Sequence, residues 1–91
     1  NSIAQDAASQ IIAGSLSCFA FITNYSQNTC AIFGILGNNT TIELVDLSAV
    51  FSGTKDTVAS TNFYYDTDGF YLQNKRAAGT LSYAVTVIKN N

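Results

Sequence analysis

Residues 3–23, IAQDAASQIIAGSLSCFAFIT, decide what fold is expected. Projected at 100° per residue, Ile3, Ala4, Ala7, Ala8, Ile11, Ile12, Leu16, Cys18, Phe19, Phe21 and Ile22 fall on one broad arc. Gln5, Asp6, Ser9 and Ser17 fill the opposite wedge. This distribution predicts an amphipathic helix of about six turns, buried over more than half its circumference. Ser2 and Gln5 have the spacing of a capping box, so the helix either starts here or is the lower half of a longer one. The polar run Asn24 to Asn28 ends it.

Downstream, Cys30 to Gly37 (CAIFGILG) is apolar enough to pack under the helix and too glycine-rich to extend it. Thr40 and Glu43 repeat the capping spacing before LVDLSAVFSG, where Leu44, Leu47 and Phe51 share a helical face and Gly53 suits a C-cap. A strand is the competing reading, since Ile42, Leu44 and Asp46 alternate, but the alternation breaks at Val45 and Leu47, and a short helix is favoured. From Thr57 the character changes to segments rich in Thr, Val, Tyr and Phe: 57–65, 70–73 and 80–89. Asp66 to Gly69 and Asn74 to Gly79 connect them. In the last segment Leu81, Tyr83, Val85 and Val87 alternate with Ser82, Ala84, Thr86 and Ile88. The expected fold is therefore α+β in a single domain, 1–91. A long helix (1–24), a loop region with a short helix (25–56) and an antiparallel meander of three to four strands (57–91) follow in that order.

The chain has 91 residues and no His, Pro, Met or Trp, with a formal net charge of -2. One small domain fits, and a staple would help stabilise it. The acidic balance gives no cationic field for nucleic acid or an anionic membrane. Without histidine there is no Ser-His or Cys-His nucleophile and no imidazole metal ligand, so no enzymatic activity and no cofactor are expected. Charged residues are only 11%, and Ser, Thr and Asn together number 28 of 91, as in extracellular or cell-surface domains. No apolar run reaches the length of a membrane span.

Two cysteines, Cys18 and Cys30, allow one bridge, which would add roughly 3 kcal/mol through loop closure; two free thiols are the alternative. Asp66 and Asp68 open a D-T-D-G run that resembles the start of a calcium loop. No glutamate closes it, so a solvated hairpin turn is expected and no metal site. Phe63, Tyr64, Tyr65, Phe70 and Tyr71 cannot all face one core, because strand side chains alternate. Some must lie outside, which makes Tyr64, Tyr65, Phe70 and Tyr71, with the basic turn at Lys75 and Arg76, the candidate contact surface for protein or carbohydrate. Asn24-Tyr25-Ser26, Asn38-Asn39-Thr40 and Asn39-Thr40-Thr41 match the glycosylation acceptor pattern and point to surface loops.

The order of an Ala/Ile/Phe-rich helix, a Cys-containing loop, a small helix and a Tyr/Thr-rich meander resembles the globular part of type IV pilins and pseudopilins. The resemblance implies that Ile3 to Thr23 is the lower half of the pilin helix. Its apolar upper half, the only membrane-contacting part, would precede Asn1. The family's leader, initial phenylalanine and early glutamate do not occur in these residues, and its cysteines usually bracket a C-terminal loop instead. The implied function is a non-catalytic subunit of a surface filament whose partners are other copies or other pilins. A secreted binding module that uses the aromatic sheet face is the alternative.

Overall fold

In the computed structural model, which describes residues 1–14 and 18–89 apart from the side chain of Cys18, the segment expected to be helical contributes three strands. The strands are β1 (Ser2–Ile3), β2 (Ala8–Ala13), β3 (Cys18–Asn24), β4 (Thr29–Ile35), β5 (Thr41–Asp46), β6 (Phe51–Ser52), β7 (Ser60–Asp66), β8 (Gly69–Lys75) and β9 (Leu81–Lys89). No helix occurs among the described residues, so the chain is all-β and the α+β, pilin-like architecture is overturned. Asp6 (φ 65°) and Gly14 (φ 76°) take left-handed conformations that no continuous helix tolerates. Within β3, Ala20, Ile22 and Asn24 are buried while Phe19 and Phe21 are exposed, a period of two. A strand with apolar residues on both faces also covers a wide arc at 100° per residue. An arc wider than half a turn is as much the mark of a two-faced strand as of a buried helix.

The strands form two sheets, one in the order β1-β9-β3-β4-β5 and one in the order β2-β8-β7-β6. All pairings are antiparallel except β6 with β7. Phe33, Ile22, Ile35 and Leu81 from the first sheet meet Phe51, Phe63, Phe70 and Leu72 from the second in one core. Phe33 is edge-on to Phe51 and tilted against Phe63, with ring centroids 6.4 and 5.3 Å apart, and Phe63 stacks on Phe70 at 5.9 Å.

Two further expectations are corrected. The segment after Thr40 is the strand β5, not a helix. Thr41 Oγ1 donates to the carbonyls of Gly53 and Phe63, and Asp46 accepts the amides of Val50 and Phe51, closing the following turn. The meander is also divided. β7 and β8 are a hairpin, but β9 pairs with β1 and β3 in the other sheet, so the 74–79 connection crosses between sheets. Asn74 is the corner of that crossing: fully buried, it donates from Nδ2 to the carbonyls of Ile3 and Gly79 and accepts Arg76 N–H at Oδ1. Gly69 is required for close packing, because a Cβ there would collide with the Ile12 carbonyl oxygen of β2; the left-handed residue in the Asp66–Gly69 turn is Thr67 (φ 53°).

The expected Cys18–Cys30 bridge does not fit this register. Cys18 pairs with Ile35 and Cys30 with Thr23, at opposite ends of the β3–β4 hairpin. Five residues of strand separate them, roughly 17 Å, against the 7 Å limit between bridged Cα atoms. Cys30 is a free thiol; the side chain of Cys18 lies outside the described residues.

Candidate functional site

The four candidate aromatics divide between the two faces of the β7–β8 hairpin. Tyr65 and Phe70 pair across the strands and turn inward, with ring centroids 5.2 Å apart; Phe70 is wholly inaccessible, and Tyr65 is partly buried with its hydroxyl donating to Thr67 O. Tyr64 and Tyr71 pair on the outer face with stacked rings, centroids 6.1 Å apart. Tyr64 is nonetheless buried, and burial pushes its phenol up. It is flanked by Asn62 and Asp66, which tie down the 55–57 segment: Asn62 Nδ2 donates to Thr57 O, and Lys55 Nζ meets Asp66 at 2.8 Å. The Tyr71 hydroxyl donates to Asp68 Oδ1 at 2.7 Å, which holds its phenol above the usual range.

The charged candidates are committed to internal contacts as well. Lys75 pairs with Asp6 at 3.3 Å, and Arg76 folds onto its own turn to donate to Thr80 O. Asp66 engages Lys55 and Thr67, and Asp68 engages Tyr71 and Gln10. Among the described residues no group of three or more metal-ligating side chains occurs. Asn24, the first glycosylation candidate, is fully buried and hydrogen-bonded to Gln27, so it is no acceptor in the folded chain.

The surface that stands out lies on the other sheet. Register places Phe19, Phe21 and Thr23 of β3, Cys30, Ile32 and Gly34 of β4, and Ala84, Thr86 and Ile88 of β9 on the face turned away from the core. In β5 a bulge inserts Leu44 between Glu43, opposite Phe33, and Val45, opposite Ile32. Leu44 leans over Gly34, where a Cβ would meet it at 3.5 Å and Phe19 at 4.0 Å. Phe19 is 48% exposed, Phe21 40%, Leu44 52% and Ile88 50%, and Ile42 and Val45 are exposed beside them. Weighted by side-chain size these amount to roughly 500 Å² of apolar surface, at the upper end of what monomers leave uncovered. No charged side chain occupies these outward positions. Edge-strand Glu43 and Asp46 are the nearest acidic groups in sequence, and desolvation together with Asp46 raises the Glu43 carboxyl. Sequence reading missed this face because its β3 and β5 residues were assigned to helices and its β4 residues to a loop under the first helix, while only the β9 residues were read as strand; the signal was the apolar content of both parities in residues 18–23 and 30–35.

Comparison with protein-family models, curated protein sequences and solved structures gives no match for the chain.

Proposed function

We propose that the protein is a non-catalytic structural subunit, at the cell surface or outside the cell, that associates with a second copy of itself through the outer face of the five-stranded sheet. The observation that carries this is the uncharged apolar face around Phe19, Phe21 and Leu44. Subunit interfaces are about 60% apolar, so roughly 500 Å² of apolar surface corresponds to roughly 800 Å² buried per copy, the size of a standard stable contact. A face without charges offers nothing to select an electrostatically patterned partner, and an identical apolar sheet face is its natural complement. Two such faces stack about 10 Å apart, with Phe19 and Phe21 beside the smaller row of Thr23, Ala84 and Thr86. The filament role expected from the pilin resemblance loses its carrier with the helix; assembly is supported by a different surface.

Sedimentation velocity over a range of concentrations tests the proposal. The wild type should show reversible self-association, weakened at least about tenfold in Phe21→Glu with an unchanged far-UV spectrum, because Phe21 faces away from the core. A wild type that stays monomeric at every concentration, or association indifferent to Phe21→Glu and Leu44→Glu, overturns it.

A further inference from the structure

We propose that Asn38, in the connection between β4 and β5, is an N-glycosylation acceptor. Three acceptor tripeptides occur, at Asn24, Asn38 and Asn39, and each needs an available carboxamide and a Ser or Thr hydroxyl two residues on. A glycan is bulky and hydrophilic, so its acceptor has to stay outside the core whether the glycan is attached before or after folding. The fold decides among the three. Asn24 is fully buried and its carboxamide is engaged with Gln27. Ser26 Oγ, the hydroxyl of that tripeptide, donates to Thr80 O at 3.1 Å and accepts Ser82 N–H at 2.8 Å. Asn39 is half-buried with its carboxamide oxygen inaccessible, and Thr41 Oγ1 turns inward to donate to Gly53 O and Phe63 O. Both tripeptides are therefore closed by tertiary contacts.

The Asn38 tripeptide is open. Asn38 and Thr40 are both exposed, and neither Asn38 Nδ2 nor Thr40 Oγ1 makes a hydrogen bond among the described residues. Asn38 Oδ1 accepts Thr40 N–H at 3.2 Å, which leaves Nδ2 as the unengaged end of the carboxamide. The turn beneath is closed by Leu36 N–H to Thr40 O at 2.9 Å and Asn39 N–H to Leu36 O at 3.0 Å. Asn39 is accounted for by its left-handed φ of 65°, which asparagine tolerates, whereas the side chains of Asn38 and Thr40 do nothing for the fold beyond that one bond. In the transfer, Asn38 Nδ2 bonds to the anomeric carbon of a lipid-pyrophosphate-linked oligosaccharide. The bond from that carbon to the pyrophosphate oxygen breaks, the lipid pyrophosphate leaves with the electron pair, and Nδ2 gives up one proton; nothing is oxidised or reduced. Charged residues are only 11% of the chain, so a glycan also supplies hydration that surface charge does not. The connection lies beyond the ends of β4 and β5, outside the strand rows of the apolar face, and leaves that face open to a second copy. This inference rests on the extracellular location proposed above and not on self-association.

The test is site mapping on the whole chain secreted from insect cells behind a cleavable signal peptide, so that failure bears on the acceptor and not on the location of the native protein. Release by peptide N-glycosidase in heavy-oxygen water turns each occupied asparagine into a labelled aspartate, which fragment-ion mass spectrometry places. The label should fall on Asn38 and be absent from Asn24 and Asn39. Thr40→Val removes the Asn38 tripeptide and leaves the one at Asn39 intact, so the secreted variant should lose its glycan altogether; Thr40→Ser should keep it at Asn38. Because both side chains are exposed, the enzymatically deglycosylated wild type and Thr40→Val should melt at the same temperature, which separates a lost acceptor from a lost fold. An unmodified Asn38 in the secreted wild type, a glycan on Asn24 or Asn39 of the folded chain, or a glycan retained in Thr40→Val overturns the proposal.

Discussion

Asp66 shows how a residue singled out for one chemistry serves another. Its carboxylate accepts from Lys55 Nζ and Thr67 Oγ1, and the Lys55 hydrogen bond, more than any other cause, holds it below the usual carboxylate range. Because its folded value lies below its unfolded one, its stabilising contribution is present above the unfolded pKa. That contribution is lost as pH falls through the folded value. The pair is exposed, so the effect is small and weakens with salt. In Lys55→Gln the Asp66 carboxyl should titrate closer to its ordinary value and the acid limb of the melting curve should become shallower; ¹³C carboxyl titration by NMR with parallel thermal melts checks both. The D-T-D-G pattern was legible in sequence as a turn. That Asp66 and Asp68 are occupied by Lys55, Tyr71 and Gln10 was not, because Lys55 and Gln10 lie 11 and 58 residues away from them in the chain.

At the scale of elements, the strands at 60–66, 69–75 and 81–89 lie close to where Thr, Tyr and Val content and turn chemistry put them. Their partners do not follow from those signals. β9 leaves the hairpin before it and joins β3, and the chain makes that crossing at Asn74, whose side chain holds β1 and the 76–79 turn together. Replacing Asn74 by Ala strands the buried Ile3 carbonyl and removes the part-buried bonds to Gly79 O and from Arg76 N–H. Unfolding free energy should fall by about 2–3 kcal/mol, measured by urea denaturation, with no change in the aromatic near-UV signal of the β7–β8 hairpin below the transition. The two-faced strands β3 and β4 explain the main correction. A run such as CFAFITN carries apolar residues at both parities, so hydrophobic periodicity alone distinguishes neither strand from helix nor inside from outside.

The whole molecule buries one aromatic-centred core and leaves a second apolar layer uncovered. A domain of this size has little stability to spare, so covering that layer should be visible thermodynamically. With a second copy bound only to the folded state, the melting temperature should rise with protein concentration and stay constant in Phe21→Glu. Differential scanning calorimetry across a hundredfold concentration range reads this directly. Composition and local order by themselves determined that imidazole chemistry is absent, that the second half is strand-forming, and that some of the clustered aromatics must leave the core. Tertiary structure decided the rest: that the first half is also strand, which sheet each strand joins, and that Phe70 lies inside while Phe19 and Phe21 lie outside. The reason is physical. Side-chain alternation is a local property of the chain, whereas the face that becomes interior is set by the sheet that packs against it, built from residues distant in sequence.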